Sequence, residues 1–196
     1  MDEAELDPNP LRQFERWFDA ARAAGLPAPE AMALATATPD GRPSARMVLL
    51  KAADESGLAF YTSYESRKGG ELAANPRAAL LFHWQPLGRQ VRIEGAVERV
   101  ADAESDAYFL TRPRGSRIAT CASPQSRPLA DRAELDRRYA EAAATHGDDV
   151  PRPPHWGGFR LVPDAYEFWE HGDDRLHDRV RYERDGGGWS RARLAP

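Results

Sequence analysis

Residues 89–100 read RQVRIEGAVERV, and this stretch decides the fold. Apolar Val91, Ile93 and Val97 alternate with Arg92, Glu94 and Glu98. A period of two is that of a strand with one face in a core and the other toward polar surroundings. Gly95 falls inside the alternation and marks an expected bulge. The strand follows a Pro86-Leu87-Gly88 turn, and residues 77–84 before that turn form a second, more apolar strand.

Working toward the N-terminus, residues 66–74 read as a short helix closed by Asn75-Pro76. Strands are expected at 58–63, 44–51 and 31–38, separated by the polar stretch 54–57 and the Pro39-Asp40-Gly41 turn. Leu11, Phe14, Phe18 and Ala21 recur at helical spacing, so residues 10–24 are a helix that Gly25 ends, and 26–30 is a Pro-rich link. Toward the C-terminus, helices are expected at 102–111, with Pro113 beyond its end, and at 130–145, then a Pro-rich acidic linker at 146–154. Strands follow at 158–162, 165–170, 177–184 and 189–194, the last pair joined by three glycines at 186–188. No βαβ alternation appears, so the class is mainly β (α+β) and antiparallel: a closed or partly open barrel with flanking helices. Residues 1–25 form an N-terminal extension and helix, and 26–196 one domain.

Composition excludes several functions. The net charge of −4 gives no basic field for nucleic acid. No apolar run reaches the length of a membrane span, and the acidic N-terminus lacks the pattern of a secretory leader. One cysteine, Cys121, makes no internal disulfide, and no Cys/His cluster has zinc spacing, so no metal is expected and a cytoplasmic, reducing setting fits. Arginine is abundant, but there are only two lysines, Lys51 and Lys68. Where arginine replaces lysine freely, surviving lysines mark positions that need a compact ammonium.

Five constellations could carry chemistry. Arg46 and Lys51 bracket a strand; being an odd number apart, they point to opposite faces of an undistorted one. Tyr61-Thr62 ends a strand just before Ser66-Arg67-Lys68, where a helix start with two cations suits phosphate. Gln90 shares a strand face with Arg92. Tyr108 and Arg112 stack one helical turn apart, and Pro113 lets Ser116 fold back beside them. On a strand, Arg175, His177 and Arg179 share a face, and their mutual repulsion asks for an anion or a carboxylate; Trp169 lies just upstream. Each alone also reads as polar strand ends, a capped helix, surface polarity or a core aromatic. Together they propose several anion-binding points, which suits two phosphorylated ligands better than one.

The order of these strings resembles that of the pyridoxine/pyridoxamine 5′-phosphate oxidases: RMVLLK at 46–51, FYTSYESRKGGEL at 60–72, NPRAALLFHW at 75–84, RQVRIEG at 89–95, YFLTRPRGS at 108–116, SPQS at 123–126, PPHWGGFRLVP at 153–163, EFW at 167–169, RLHDR at 175–179 and the terminal RLAP. The likeness runs from about Asn9 to Pro196. It implies a split β-barrel homodimer that binds FMN between subunits and oxidises pyridoxamine and pyridoxine 5′-phosphate to pyridoxal 5′-phosphate with oxygen, releasing hydrogen peroxide. Implied FMN contacts are Arg46, Met47, Val48, Leu49, Leu50 and Lys51, then Tyr61, Thr62, Arg67 and Lys68. Gln90, Gln125, Ser126, Trp169 and Arg179 complete that set. Implied substrate contacts are Lys51, Tyr108, Arg112, Ser116, Arg175, Leu176 and His177, with Arg175 and His177 at the reacting carbon. A related oxidase acting on another ring, or a non-catalytic flavin or pyridoxal phosphate carrier, is the alternative. One departure stands out: Ala119-Thr120-Cys121 replaces the Gly-Ala-Trp common in the family.

Overall fold

Asn9 accepts a 2.9 Å hydrogen bond from the Leu11 N–H through Oδ1, and Pro10 follows at the first helical position, so α1 (Pro10–Ala23) starts capped. The chain is seen here as a computed structural model that describes Met1 and residues 3–196. The buried stripe of α1 carries Phe14, Trp17, Phe18 and Ala21. Leu11, expected on that stripe, is only half-buried, while Trp17, not expected on it, is buried.

Strands β1 (Ala31–Ala37), β2 (Pro43–Leu49), β3 (Ala52–Asp54) and β4 (Gly57–Ser63) come next, then α2 (Arg67–Ala74), β5 (Arg77–Trp84) and β6 (Arg89–Arg99). Three helices follow, α3 (Asp102–Thr111), α4 (Arg114–Ala122) and α5 (Arg132–His146), then β7 (Trp156–Glu170), β8 (Asp178–Asp185) and β9 (Gly188–Arg193). All pairings are antiparallel, in the order β2-β1-β5-β6-β7-β4-β3, with β8 on β7 and β9 on β8. The sheet curls into a split barrel with helices around it.

The split originates in β7. Residues 158–162 and 165–170, expected as two strands, form one strand whose first half pairs with β4 and whose second half pairs with β8. On its other edge β6 runs the whole length. The register steps from Glu94↔Ala165 to Gly95↔Pro163, which leaves Asp164 as the extra residue of a bulge. Pro163 has no N–H to donate, and it stands where neither β4 nor β8 flanks the strand, so its missing donor costs no ladder bond there. A Cβ on Gly95 would lie 2.1 Å from the Val162 carbonyl oxygen, so the backbones approach at the bulge as only glycine allows.

The main core fills the barrel and the space under α1. Phe14 packs on Phe82 with ring centroids 5.0 Å apart, and the Trp17 ring meets Phe168 edge-on at 5.3 Å. A second, smaller core of Phe109, Ile118, Val150 and Trp156 lies beneath α3 and α4. Helix α4 was not expected from the sequence. Pro113 closes α3 but also serves as the N-cap position of α4, and only Ile118 and Ala122, four apart, are buried on it. That is too short an apolar stripe to stand out as periodicity.

Candidate active site

A cavity of about 930 Å³ opens between β2, the ends of β4 and α2, and the α3–α4 corner. That is room for more than one small ligand. Arg46 and Lys51 both border it. Strand β2 stops at Leu49, so the alternation that would send the two cations to opposite faces ends before Lys51. Met47, Val48 and Leu49 also line the cavity, whereas Leu50 is turned into the core.

One end of the cavity is cationic and ordered. Ser66 caps α2 by accepting from the Gly69 N–H. Lys68 is buried and donates from Nζ to Thr62 Oγ1 at 2.9 Å. Burial pushes its pKa down, and the neighbouring Arg46 pushes the same way. Gln125 accepts from the Thr62 hydroxyl at 3.0 Å and from the Ser63 N–H at 3.2 Å, which ties the 123–127 loop to β4. Beside Gln125, Ser126 is held at φ +69°, a left-handed backbone uncommon for serine.

Sequence reasoning missed Glu71. Its carboxylate is buried and accepts from the Thr36 and Ser44 hydroxyls, from Arg46 at 3.2 Å and from Arg67 at 2.9 Å. Burial acts to raise its pKa, but the bonds from Ser44, Thr36 and Arg67 outweigh that and bring it down to about 2. Glu71 therefore stays ionised and fixes two guanidinium groups at the cavity wall. The signal was present: Arg67 and Glu71 are one helical turn apart.

The other end is aromatic. Tyr61, Tyr108 and Trp156 stack, with the two tyrosine centroids 4.0 Å apart. The Tyr61 hydroxyl faces Glu104 at 3.3 Å; burial first, and then that carboxylate, raise its pKa to about 12. Arg112 lies over the Trp156 ring at 4.7 Å and lines the cavity with Tyr108 and Ser116. Among the described residues no carboxylate pairs with Lys51, Lys68 or Arg112. Thus the three predicted substrate-side groups from the α3–α4 corner do converge on one wall.

The remaining candidates, Gln90, Trp169, Arg175, Leu176, His177 and Arg179, form a second cluster outside this cavity. Gln90 pairs with Trp169 across β6–β7, and Trp169 with Arg179 across β7–β8, so the three make a row on the face opposite the core. The expectation that Arg175, His177 and Arg179 share a strand face is corrected. β8 begins at Asp178, and Arg175 ends a 3-10 turn (Asp173–Arg175) with φ +64°. Three adjacent cations on one strand would repel; the turn separates them, and a carboxylate takes up Arg179. That carboxylate is Glu167, 2.8 Å from Arg179, buried, and also paired with Arg92. The His177 ring lies 4.6 Å from Trp169, and its Nδ1 accepts from the Gly172 N–H, which leaves Nε2 as the protonated nitrogen of the neutral ring. Leu176 is 71% exposed, an apolar side chain with nothing of this chain over it.

Residues 18–146 match the model of the pyridoxamine 5′-phosphate oxidase family, and residues 156–196 match that of the pyridoxine 5′-phosphate oxidase C-terminal dimerisation region. The chain belongs to the pyridoxamine 5′-phosphate oxidase family. Within it, the chain is 58% identical to the pyridoxine/pyridoxamine 5′-phosphate oxidase of Burkholderia vietnamiensis, covering 100% of this chain and 93% of that one. The Bordetella petrii protein of the same name is 61% identical over 96% of this chain and 90% of its own. Among solved structures, PhzG from Burkholderia lata, determined with tetrahydrophenazine-1-carboxylic acid, superposes with a TM-score of 0.93 at 39% identity, covering 98% of this chain and 95% of that one. No described helix is long and apolar enough to cross a membrane.

Proposed function

We propose that this chain is an FMN-dependent oxidase that converts pyridoxamine 5′-phosphate and pyridoxine 5′-phosphate to pyridoxal 5′-phosphate. Oxygen is the final electron acceptor and becomes hydrogen peroxide; the amine substrate also consumes water and releases ammonia. The observation that carries this reading is one cavity bordered by five cationic side chains: Arg46 and Arg67 on Glu71 with Lys68 beside them, Arg112 at the α3–α4 corner, and Lys51 just past β2. Two phosphorylated ligands side by side are the chemistry that such a cavity serves. The names borne by relatives at 56–61% identity support the substrate assignment.

The residues present fit FMN. A buried ammonium with no carboxylate partner among the described residues, beside two guanidinium groups, is costly unless an anion completes it. Arg46, Arg67 and Lys68 would hold the phosphate, and Thr62, Gln125 and Ser126 the neighbouring polar atoms. When bound, FMN supplies the two-electron acceptor. Lys51, Tyr108, Arg112 and Ser116 hold the substrate phosphate by charge-assisted bonds and so fix the reacting carbon at a distance from the anchor.

Arg175, Leu176 and His177 do not reach the cavity of their own chain. A homodimer in which the 169–179 region of one subunit covers the cavity of the other completes the site. Exposed Met47 and Leu49, at 64% and 42%, edge that cavity with apolar surface and support such a contact. Arg175 then stabilises charge at the reacting carbon, and His177 offers its Nε2–H as a hydrogen-bond donor. Gln90, Trp169 and Arg179 would meet the flavin from the same side.

The test is aerobic turnover of FMN-loaded protein with each substrate, following aldehyde and peroxide. Equal amounts of both products, absent without FMN, are expected. Bound FMN with no turnover of either substrate would overturn the assignment and favour a ring such as the one in the PhzG structure.

A further inference from the structure

Arg112 differs from Arg46, Arg67 and Arg179 in how it is held. Arg46 and Arg67 share the Glu71 carboxylate, and Arg179 rests on Glu167. Arg112 instead donates from Nη1 to the Thr120 hydroxyl at 2.7 Å, while its guanidinium lies over the Trp156 and Phe109 rings. The Thr120 hydroxyl donates in turn to the Ser116 carbonyl at 2.9 Å. That second bond uses the only hydroxyl proton, so the oxygen presents lone pairs, and no donor, to Arg112. Thr120 therefore joins the end of α3, which carries Arg112, to the turn of α4 that carries Ser116. All three border the cavity.

A carboxylate in this place would hold the guanidinium equally well but would cancel the field that an incoming anion feels. A hydroxyl holds it and leaves its charge whole. We propose that Thr120 is a positioning residue for recognition of the substrate phosphate: it locks Arg112 and Ser116 in mutual register through a neutral latch that keeps the guanidinium available to the anion. This rests on the reading that the Tyr108–Arg112–Ser116 wall takes the substrate phosphate. Thr120 lies in the segment where the chain departs from the usual family string, so sequence resemblance alone did not point to it.

The test uses FMN-loaded wild-type protein, Thr120→Val, which keeps the shape without the hydroxyl, and Thr120→Ser, which keeps the hydroxyl. Affinities for pyridoxal 5′-phosphate and for unphosphorylated pyridoxal are measured by calorimetry, with FMN affinity by flavin fluorescence and KM and kcat for pyridoxamine 5′-phosphate. The valine variant should bind pyridoxal 5′-phosphate about tenfold more weakly, as loss of a bond to a charged group implies. KM should rise in step, while kcat, pyridoxal affinity and FMN affinity hold, and serine should restore the wild-type values. Unchanged pyridoxal 5′-phosphate affinity in the valine variant would overturn the proposal. So would an equal loss for pyridoxal or FMN, or a loss that serine does not rescue, since those mark a merely structural role. Wild-type protein that neither turns over pyridoxamine 5′-phosphate nor prefers pyridoxal 5′-phosphate to pyridoxal would instead bring down the underlying assignment, and the proposal with it.

Discussion

Arg179 Nη2 lies 2.8 Å from Glu167 Oε1, and its Nε donates to the same oxygen at 2.9 Å. The two residues sit on β7 and β8 two positions apart in register, since Glu167 itself faces Arg181. The pair sets the direction of the guanidinium before any ligand arrives. Glu167 is nearly inaccessible and is shared with Arg92, so its removal takes the carboxylate from both, leaving Arg92 with Glu94 and Arg179 with the Ala195 carbonyl.

Glu167→Ala should therefore destabilise the fold by about 1.5–3 kcal/mol, the range for hydrogen bonds to charged groups. It should also weaken FMN retention by freeing Arg179. Urea unfolding and flavin release measure the two effects; a variant as stable as wild type would show that the pair contributes nothing net.

Glu71 gives a pH signature. Its pKa is held down at about 2 in the folded chain against an ordinary 4.5. A depressed carboxylate stabilises the fold fully above its unfolded pKa, and that contribution fades as pH falls toward the folded value. The stability gap between wild type and Glu71→Gln should thus be constant above about pH 5 and shrink steadily between pH 4.5 and 2. Denaturant midpoints across that range decide it. A gap independent of pH would mean that folding leaves the pKa of Glu71 unchanged.

The two halves of the proposed site should separate by mutation. Arg67→Ala, on the first cavity wall, should weaken FMN binding about tenfold or more while the fold persists. Arg175→Ala, in the turn before β8, should leave FMN bound and cut turnover by roughly two or more orders of magnitude. Fluorescence titration of FMN beside steady-state kinetics distinguishes them. Undiminished flavin affinity in the first, or unchanged kcat in the second, would remove the role assigned to that residue.

Gly95 tests the architecture. A methyl group there would press on the Val162 carbonyl at 2.1 Å, and backbone cannot step aside as a side chain can. Gly95→Ala should cost about 1–3 kcal/mol by overpacking. Thermal unfolding of the variant checks this; wild-type Tm would indicate that the bulge relaxes freely.

If the exposed apolar edge at Met47 and Leu49 is covered by a second subunit, Met47→Asp should yield monomers that hold FMN poorly. Light scattering with flavin quantification is the measurement. A monomeric variant with full flavin affinity and activity would show that one subunit suffices.

Much of this was written along the chain itself. The period of two at 89–99, the helix at 10–24 ended by Gly25, the turn glycines and the cationic helix start at 66–68 are local features, set by backbone sterics and by side-chain alternation within a few residues. Composition marked Lys51 and Lys68 as unusual, and the same local chemistry placed Tyr108, Arg112 and Ser116 on one corner. Only the tertiary structure decided what depends on register between distant strands. It merged 156–170 into one bulged strand, put Glu167 against Arg179, and moved Arg175 off the strand into a left-handed turn. It also placed the Thr120 hydroxyl under Arg112 and divided the predicted site into a cavity and a separate cluster outside it. Those outcomes rest on which backbone donors find partners across the sheet and which carboxylates become buried beside which cations, and neither is a property of neighbouring residues in sequence.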